Sequence, residues 1–231
     1  MTMAKFGITE QGDAALDRSW ENKAGSFDGV VLITKAPHKL ISKPLPGNAI
    51  VHCTITGFGG SVLEPGVSRP PETLDAYHQL VDAIGPERTV LRIDPIIPTE
   101  KGLLAAQKIF SEAHSRTRIS FLDHYPSVRK RFKEAGLPDL HPGENNLHYP
   151  RDVRRKAAKL FPDAEICGEP GLDCTGCISH FDYYALDIPI PADFGLKRQR
   201  AACNCLAQKT ELLSKKGRCA HGCLYCYYGL G

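Results

Sequence analysis

Short apolar runs recur along the first two thirds of the chain, and the segments between them carry helical spacing. Five runs read as strands, Lys5 to Thr9, Val30 to Thr34, Ala49 to Thr56, Thr89 to Ile93 and Arg118 to Leu122, of which Val30 to Thr34 reads as a buried strand. A sixth, shorter one covers Ala164 to Cys167. Between them, Glu72 to Ile84 places Leu74, Tyr77, Leu80, Val81 and Ile84 at helical intervals. Further helices are expected around Ala14 to Lys23 and over Leu103 to His114, Ser127 to Ala135 and Arg151 to Phe161. Gly136 and Pro138 end the third of these, and a loop is expected over Pro142 to Pro150.

Six strands alternating with helices argue for parallel βα units. The expected fold is therefore α/β, closing as a partial (β/α)6 barrel of the TIM type, with a doubly wound open sheet as the competitor. In a barrel, chemistry gathers at the C-terminal ends of the strands. Those ends are polar here: Glu10 and Asp13, Lys35, Thr54 and Thr56, Arg92 and Asp94, Asp123, and Glu169.

From about residue 168 the pattern changes to a loop-rich tail. The expected division is a barrel over 1–167 and a cysteine-rich tail over 168–231 that packs on the barrel mouth. So few apolar residues in so short a segment need a metal to hold a shape. Eight of the chain's nine cysteines lie after residue 160. An odd count without an export signal does not suit a disulfide scaffold, whereas metal ligation suits it. No apolar run approaches a membrane span, so a cytoplasmic protein without a membrane partner is expected.

Cys219, Cys223 and Cys226 carry the sharpest signal, a C-x3-C-x2-C spacing with Tyr225 just before the third thiol. Three thiolates at this spacing grip three irons of a 4Fe–4S cluster and leave the fourth iron open. A zinc knuckle is the rival reading, but zinc in a structural site wants four ligands, and His221 lies awkwardly inside the tight loop. Cys203 and Cys205 call for two further thiols to close a second site. Cys53 sits mid-strand and reads as a small buried hydrophobe.

The net charge is +3, yet residues 116 to 159 alone carry +6. A solvated basic surface explains this, and a face for nucleic acid or phosphate is the alternative. The segment from Gly57 to Gly60 matches no phosphate-binding glycine spacing. Arg92 and Asp94 end a strand and either form a structural ion pair or meet a polar ligand. Lys35, Glu64 and Asp123 share that ambiguity.

The C-x3-C-x2-C spacing resembles the signature of radical SAM enzymes, although there it normally follows the first strand. The chain as a whole resembles a bacterial family known only as domain of unknown function 1848, whose members look like radical SAM proteins with the cluster motif moved to the C-terminus. The segments that carry the likeness are 33–37, 54–57, 63–65, 84–88, 92–96, 120–125, 199–205 and 219–227. Many members have a Ser-Arg-Arg-Thr-Asp-like segment where this chain has Thr9-Glu-Gln-Gly-Asp13.

The resemblance implies an open 4Fe–4S cluster on Cys219, Cys223 and Cys226, with S-adenosylmethionine as cofactor and a low-potential donor such as flavodoxin or ferredoxin. It matches Cys167 and Cys177 with Cys203 and Cys205 as the second site, holding an auxiliary 4Fe–4S cluster or a structural zinc, with Cys174 left over. Glu10, Asp13, Thr54, Thr56, Arg92 and Asp94 are the candidates for cofactor contacts. Lys35, Arg92, Asp94 and Asp123 are the candidates for catalysis. The expected function is radical chemistry on a substrate that the sequence does not name, nucleic acid or a nucleotide among the options. A metal-stapled binding protein and a two-cluster electron carrier are the rival functions.

Overall fold

The computed structural model describes residues 4–140, 147–190, 203–214 and 219–228. All six expected strands form: β1 (Phe6–Ile8), β2 (Gly29–Thr34), β3 (Ala49–Thr54), β4 (Thr89–Ile96), β5 (Arg116–Phe121) and β6 (Glu165–Ile166). A seventh, β7 (Lys209–Glu211), comes from the cysteine-rich tail and pairs with β1. Every pairing is parallel, and the strands run in the order β6-β5-β4-β3-β2-β1-β7.

That order is sequential from β1 to β6, with no point at which the winding reverses. A doubly wound sheet requires such a switch. The sheet is instead singly wound and curled, a half-barrel with β6 and β7 as its edges among the described residues.

Seven helices lie among the described residues: α1 (Glu21–Ala24), α2 (Pro37–Leu40), α3 (Pro70–Ile84), α4 (Glu100–Phe110), α5 (Pro126–Glu134), α6 (Arg151–Ala158) and α7 (His180–Ala185). None is long and apolar enough to cross a membrane. The helix expected around Ala14 to Lys23 is replaced by turns that lead into the short α1. Its backbone is claimed elsewhere. Ala14 N–H donates to the Ile33 carbonyl at 2.9 Å, Ala15 N–H to Asp13 Oδ1 at 2.8 Å, and Trp20 Nε1 to the Ala14 carbonyl at 2.8 Å. The loop expected over 142–150 falls mainly outside the described residues, as does 199–202 of the matched segments.

The two faces of the sheet differ in chemistry. Val30, Leu32, Val51, Cys53, Leu91 and Ile93 pack with Tyr77, Leu80 and Ala106 of the covering helices. Cys53 is fully buried there, as a small hydrophobe. On the inner face the register places Thr54, Arg92, Arg118 and Glu165 side by side across four strands. Because successive side chains alternate faces, an apolar outer layer and a polar inner row come from the same strands.

Candidate metal centre

The inner row leads to a cavity at the C-terminal ends of the strands. Its volume is about 160 Å³, against the roughly 10–15 Å³ that one water needs on this measure. Glu10, Asp13, Lys35 and Thr54 line it, as do Arg92, Asp94, Asp123 and Glu169. Cys219, Cys223 and Cys226 form part of the same wall, together with Cys167 and Cys177 of the second set. Eight strand-end residues and five thiols, separated by up to 216 positions in the chain, thus share one space.

Thr56 does not reach it. Its hydroxyl accepts from Phe58 N–H at 3.2 Å and bonds to Glu64. Gly59, in the glycine-rich turn beyond, is needed for close packing on its own chain: a Cβ there would stand 2.0 Å from the Ser68 carbonyl oxygen. Cys174, Cys203 and Cys205 also lie off the cavity wall.

The loop carrying Cys219 to Cys226 is fastened at three places. His221 Nε2 lies 2.7 Å from Asp13 Oδ2, and its Nδ1 lies 3.0 Å from the Gly66 carbonyl oxygen. Leu224 N–H donates to the Leu63 carbonyl at 3.0 Å, and Gly66 N–H to the His221 carbonyl at 2.9 Å. Arg131 of α5 donates to the Leu224 carbonyl at 2.9 Å and to the Cys226 carbonyl. Gly66 is a steric requirement of this seat, since a Cβ there would come within 2.8 Å of the Ala220 and His221 carbonyl oxygens.

Asp13 holds the arrangement together. It accepts from Thr34 Oγ1 at 2.8 Å and from Lys35 N–H at 2.7 Å, besides His221 and Ala15. Burial opposes its charge, but the His221 contact and these bonds outweigh burial and hold its carboxyl below the usual range.

A second buried group sits beside it. Lys35 Nζ donates to Glu64 Oε1 at 2.8 Å, the Tyr225 hydroxyl donates to the same oxygen, and Lys35 lies 5.3 Å from the centre of the Tyr225 ring. Burial works against both charges, yet each partner stabilises the other: Glu64 is held low and Lys35 high.

At the other strand ends, Arg92 pairs with Asp94, and Asp123 lies 2.6 Å from His148 Nδ1. Glu10 pairs with Lys209 of β7 at 2.6 Å. Burial and then the nearby Cys177 push the Glu10 carboxyl up, while Lys209 pulls it back. Glu169 accepts from Phe121 N–H at 2.7 Å and pairs with Arg154 at 2.9 Å.

Burial pushes the Cys219 and Cys223 thiols up to about 11, so a metal there would have to displace their protons. Among the described residues, no three His, Cys, Asp or Glu side chains stand in the arrangement that grips a single ion. A 4Fe–4S cluster asks for something else, since each thiolate goes to its own iron and the cluster fills the space between. Three thiols on one wall of a roomy cavity suit that demand. Thr54 adds a further mark of a ligand, because its buried hydroxyl lines the cavity without a hydrogen-bond partner.

The second cysteine set also meets, around a different point. Cys167 Sγ lies 3.3 Å from Cys177 Sγ, Cys177 bonds in turn to Cys205, and Cys205 bonds to Cys203. Cys174 stands aside and donates to the Glu169 carbonyl at 3.2 Å.

Several residues at this mouth have little sequence signal of their own. Lys209 and Glu211 belong to a strand of three residues, and Glu211 accepts from the backbone N–H groups of Glu10 and Gln11 at 2.9 Å each. His221 reads as an awkward ligand in the sequence and acts here as a clamp.

A half-barrel with a cavity at the strand ends, walled by a cysteine loop from the far end of the chain, is the architecture of this protein. Residues 17–228 match the family described as domain of unknown function (DUF1848), and the chain belongs to that family. No curated protein and no solved structure matches it.

Proposed function

We propose that the protein is a radical SAM-type enzyme whose open 4Fe–4S cluster is held by Cys219, Cys223 and Cys226. The observation that carries this reading is the seat of the cysteine loop: the His221–Asp13 contact brings the three thiols to the end of β1. A loop inserted directly after β1 would occupy the same place. When bound, such a cluster supplies an electron that cleaves S-adenosylmethionine reductively to a 5′-deoxyadenosyl radical, which abstracts hydrogen from a substrate.

The chain's own residues bind and orient. Asp13, Gly66 and Arg131 fix the backbone of the loop, so its thiols meet the cavity without much further loss of freedom. Lys35 brings positive charge near Cys223, which favours its thiolate. Thr54 offers an unpaired hydroxyl to a polar cofactor group. Arg92 and Asp94 supply a cation and a carboxylate for the amino-acid end of the same cofactor. Tyr227 and Tyr228, 4.5 Å apart between ring centres, add aromatic surface to the cavity and limit water entry.

A low-potential donor of the flavodoxin or ferredoxin class supplies the electron. A nucleotide or nucleic acid is the substrate class to test first, given the exposed Arg129, Lys130, Lys133, Arg155, Lys156 and Lys159 on and beside α5 and α6.

The test is turnover of S-adenosylmethionine by anaerobically reconstituted protein under dithionite, measured as 5′-deoxyadenosine. The wild type should produce it and Cys223→Ser should not. A reconstituted wild type that makes none, even with flavodoxin as donor, would leave a metal-stapled binding protein.

A further inference from the structure

Cys167 Sγ lies 3.3 Å from Cys177 Sγ, Cys177 N–H points at Cys205 Sγ at 3.2 Å, and Cys205 interacts in turn with Cys203. We infer that these four thiols hold one zinc ion in a closed tetrahedral site, and that the protein carries no second iron–sulfur cluster. This inference does not depend on the radical reading of the other site.

Sulfur spacing separates the two kinds of site. Zinc–sulfur bonds of about 2.3 Å at tetrahedral angles put neighbouring sulfurs about 3.8 Å apart. The Cys167–Cys177 separation is 3.3 Å, so this pair needs to open by only about half an ångström to share one ion. A cubane cluster binds each thiolate to a different iron with sulfide between, so its ligands never touch. To receive one, the set would have to be driven apart against Phe6, Ile8, Ile178, Tyr183 and Ala207, which pack around it.

Among the described residues no three of these groups stand in finished metal geometry, so the sulfurs close on the ion as it binds.

The backbone that presents the sulfurs is already fixed. Cys167 N–H donates to the Ile119 carbonyl at 3.0 Å, and Leu206 N–H to the Ile178 carbonyl at 2.9 Å. Asn204 Nδ2 donates to the Cys174 carbonyl at 2.8 Å. Gly176, at φ 79°, lets the two segments meet, since a Cβ there would lie 2.6 Å from Cys205 N. Cys177 N–H points at Cys205 Sγ at 3.2 Å, the kind of outer bond that orients a metal-bound thiolate.

Charge is provided as well. A zinc tetrathiolate carries two negative charges, and Lys209 and Arg92 both stand close to Cys177. Arg118 donates to the Cys177 carbonyl at 3.0 Å. Four protein ligands leave no open position, so the site is structural. Its role is to staple the tail beside β6, a few residues before β7 joins β1.

The test is zinc, iron and sulfide content of the full chain purified without oxygen, for the wild type and four variants. One zinc per chain is expected in the wild type, in Cys174→Ser and in Cys223→Ser, and none in Cys203→Ser or Cys205→Ser. Should those two fail to fold, Cys223→Ser reconstituted with cobalt(II) should bind one equivalent and give the strong visible absorption of a tetrahedral cobalt thiolate. Iron and sulfide retained in Cys223→Ser, a single iron in place of zinc, or no tetrahedral cobalt spectrum would each overturn the inference. A wild type with one zinc but no iron would instead strike only the open cluster.

Discussion

His221 Nε2 lies 2.7 Å from Asp13 Oδ2, so a residue of the C-terminal loop is bonded to the turn after the first strand, 208 positions away. Chain order and spatial order are therefore uncoupled at this site. A motif that ends the sequence is seated where a motif that follows β1 would be.

Asp13 serves four donors at once, and the loss of its carboxylate strands all of them in a buried place. Asp13→Ala should lower the unfolding free energy by about 3 kcal/mol or more, since each stranded buried group costs about 1–3 kcal/mol. Urea denaturation of the metal-loaded protein measures this. A loss below about 1 kcal/mol would contradict the clamp.

Gly66→Ala acts on the same loop from the other side by pressing a methyl group on the Ala220 and His221 carbonyls. The expected result is a several-fold loss of bound iron with circular dichroism unchanged, because the sheet does not depend on this contact. Full iron content in the variant would show that the loop sits elsewhere.

Lys35 and Glu64 form a buried pair that Tyr225 completes. Glu64→Leu should cost about 3–5 kcal/mol, because it leaves a buried ammonium without its carboxylate. The double variant Lys35→Met with Glu64→Leu should recover much of that loss. Additive losses in this cycle would argue that the two side chains act separately.

His52 gives a dependence on pH. It is fully buried, and burial, then the Arg118 guanidinium 3.0 Å from its Nε2, hold its pKa well below the usual range. The unfolded chain takes up a proton near pH 6.5 and the folded one does not. Stability is therefore complete above about pH 6.5 and falls as the pH drops below it, by up to about 1.4 kcal/mol per unit. His52→Gln should remove this component, so the stability difference between wild type and variant should change between pH 7 and pH 5.5. A constant difference would contradict the assignment.

Much of the fold was legible because strands buried on both faces read as continuous apolar runs, as Val30 to Thr34 does. Lys209–Glu211 was not legible: it is three residues long, with charges at both ends, and only its partner β1 makes it a strand. The alanines after Asp13 suit a helix, but turns form there because the Asp13 carboxylate takes the N–H of Ala15.

At the site, the rule of polar strand ends located Glu10, Lys35, Arg92 and Asp123, since it follows from topology alone. Thr56 failed that rule because the chain turns away at Gly57, where φ is 87°. The basic stretch looked freer than it is. Arg116, Arg118 and Arg154 turn inward to Glu165, Asp182 and Glu169, acids that lie beyond the basic stretch of residues 116–159.

The most direct test of the open cluster is EPR of anaerobically prepared, reduced protein with and without S-adenosylmethionine, alongside iron and sulfide analysis. About four irons and four sulfides per chain are expected, with a signal that changes when the cofactor is added. A signal indifferent to S-adenosylmethionine, or a protein with no iron after reconstitution, would contradict the account.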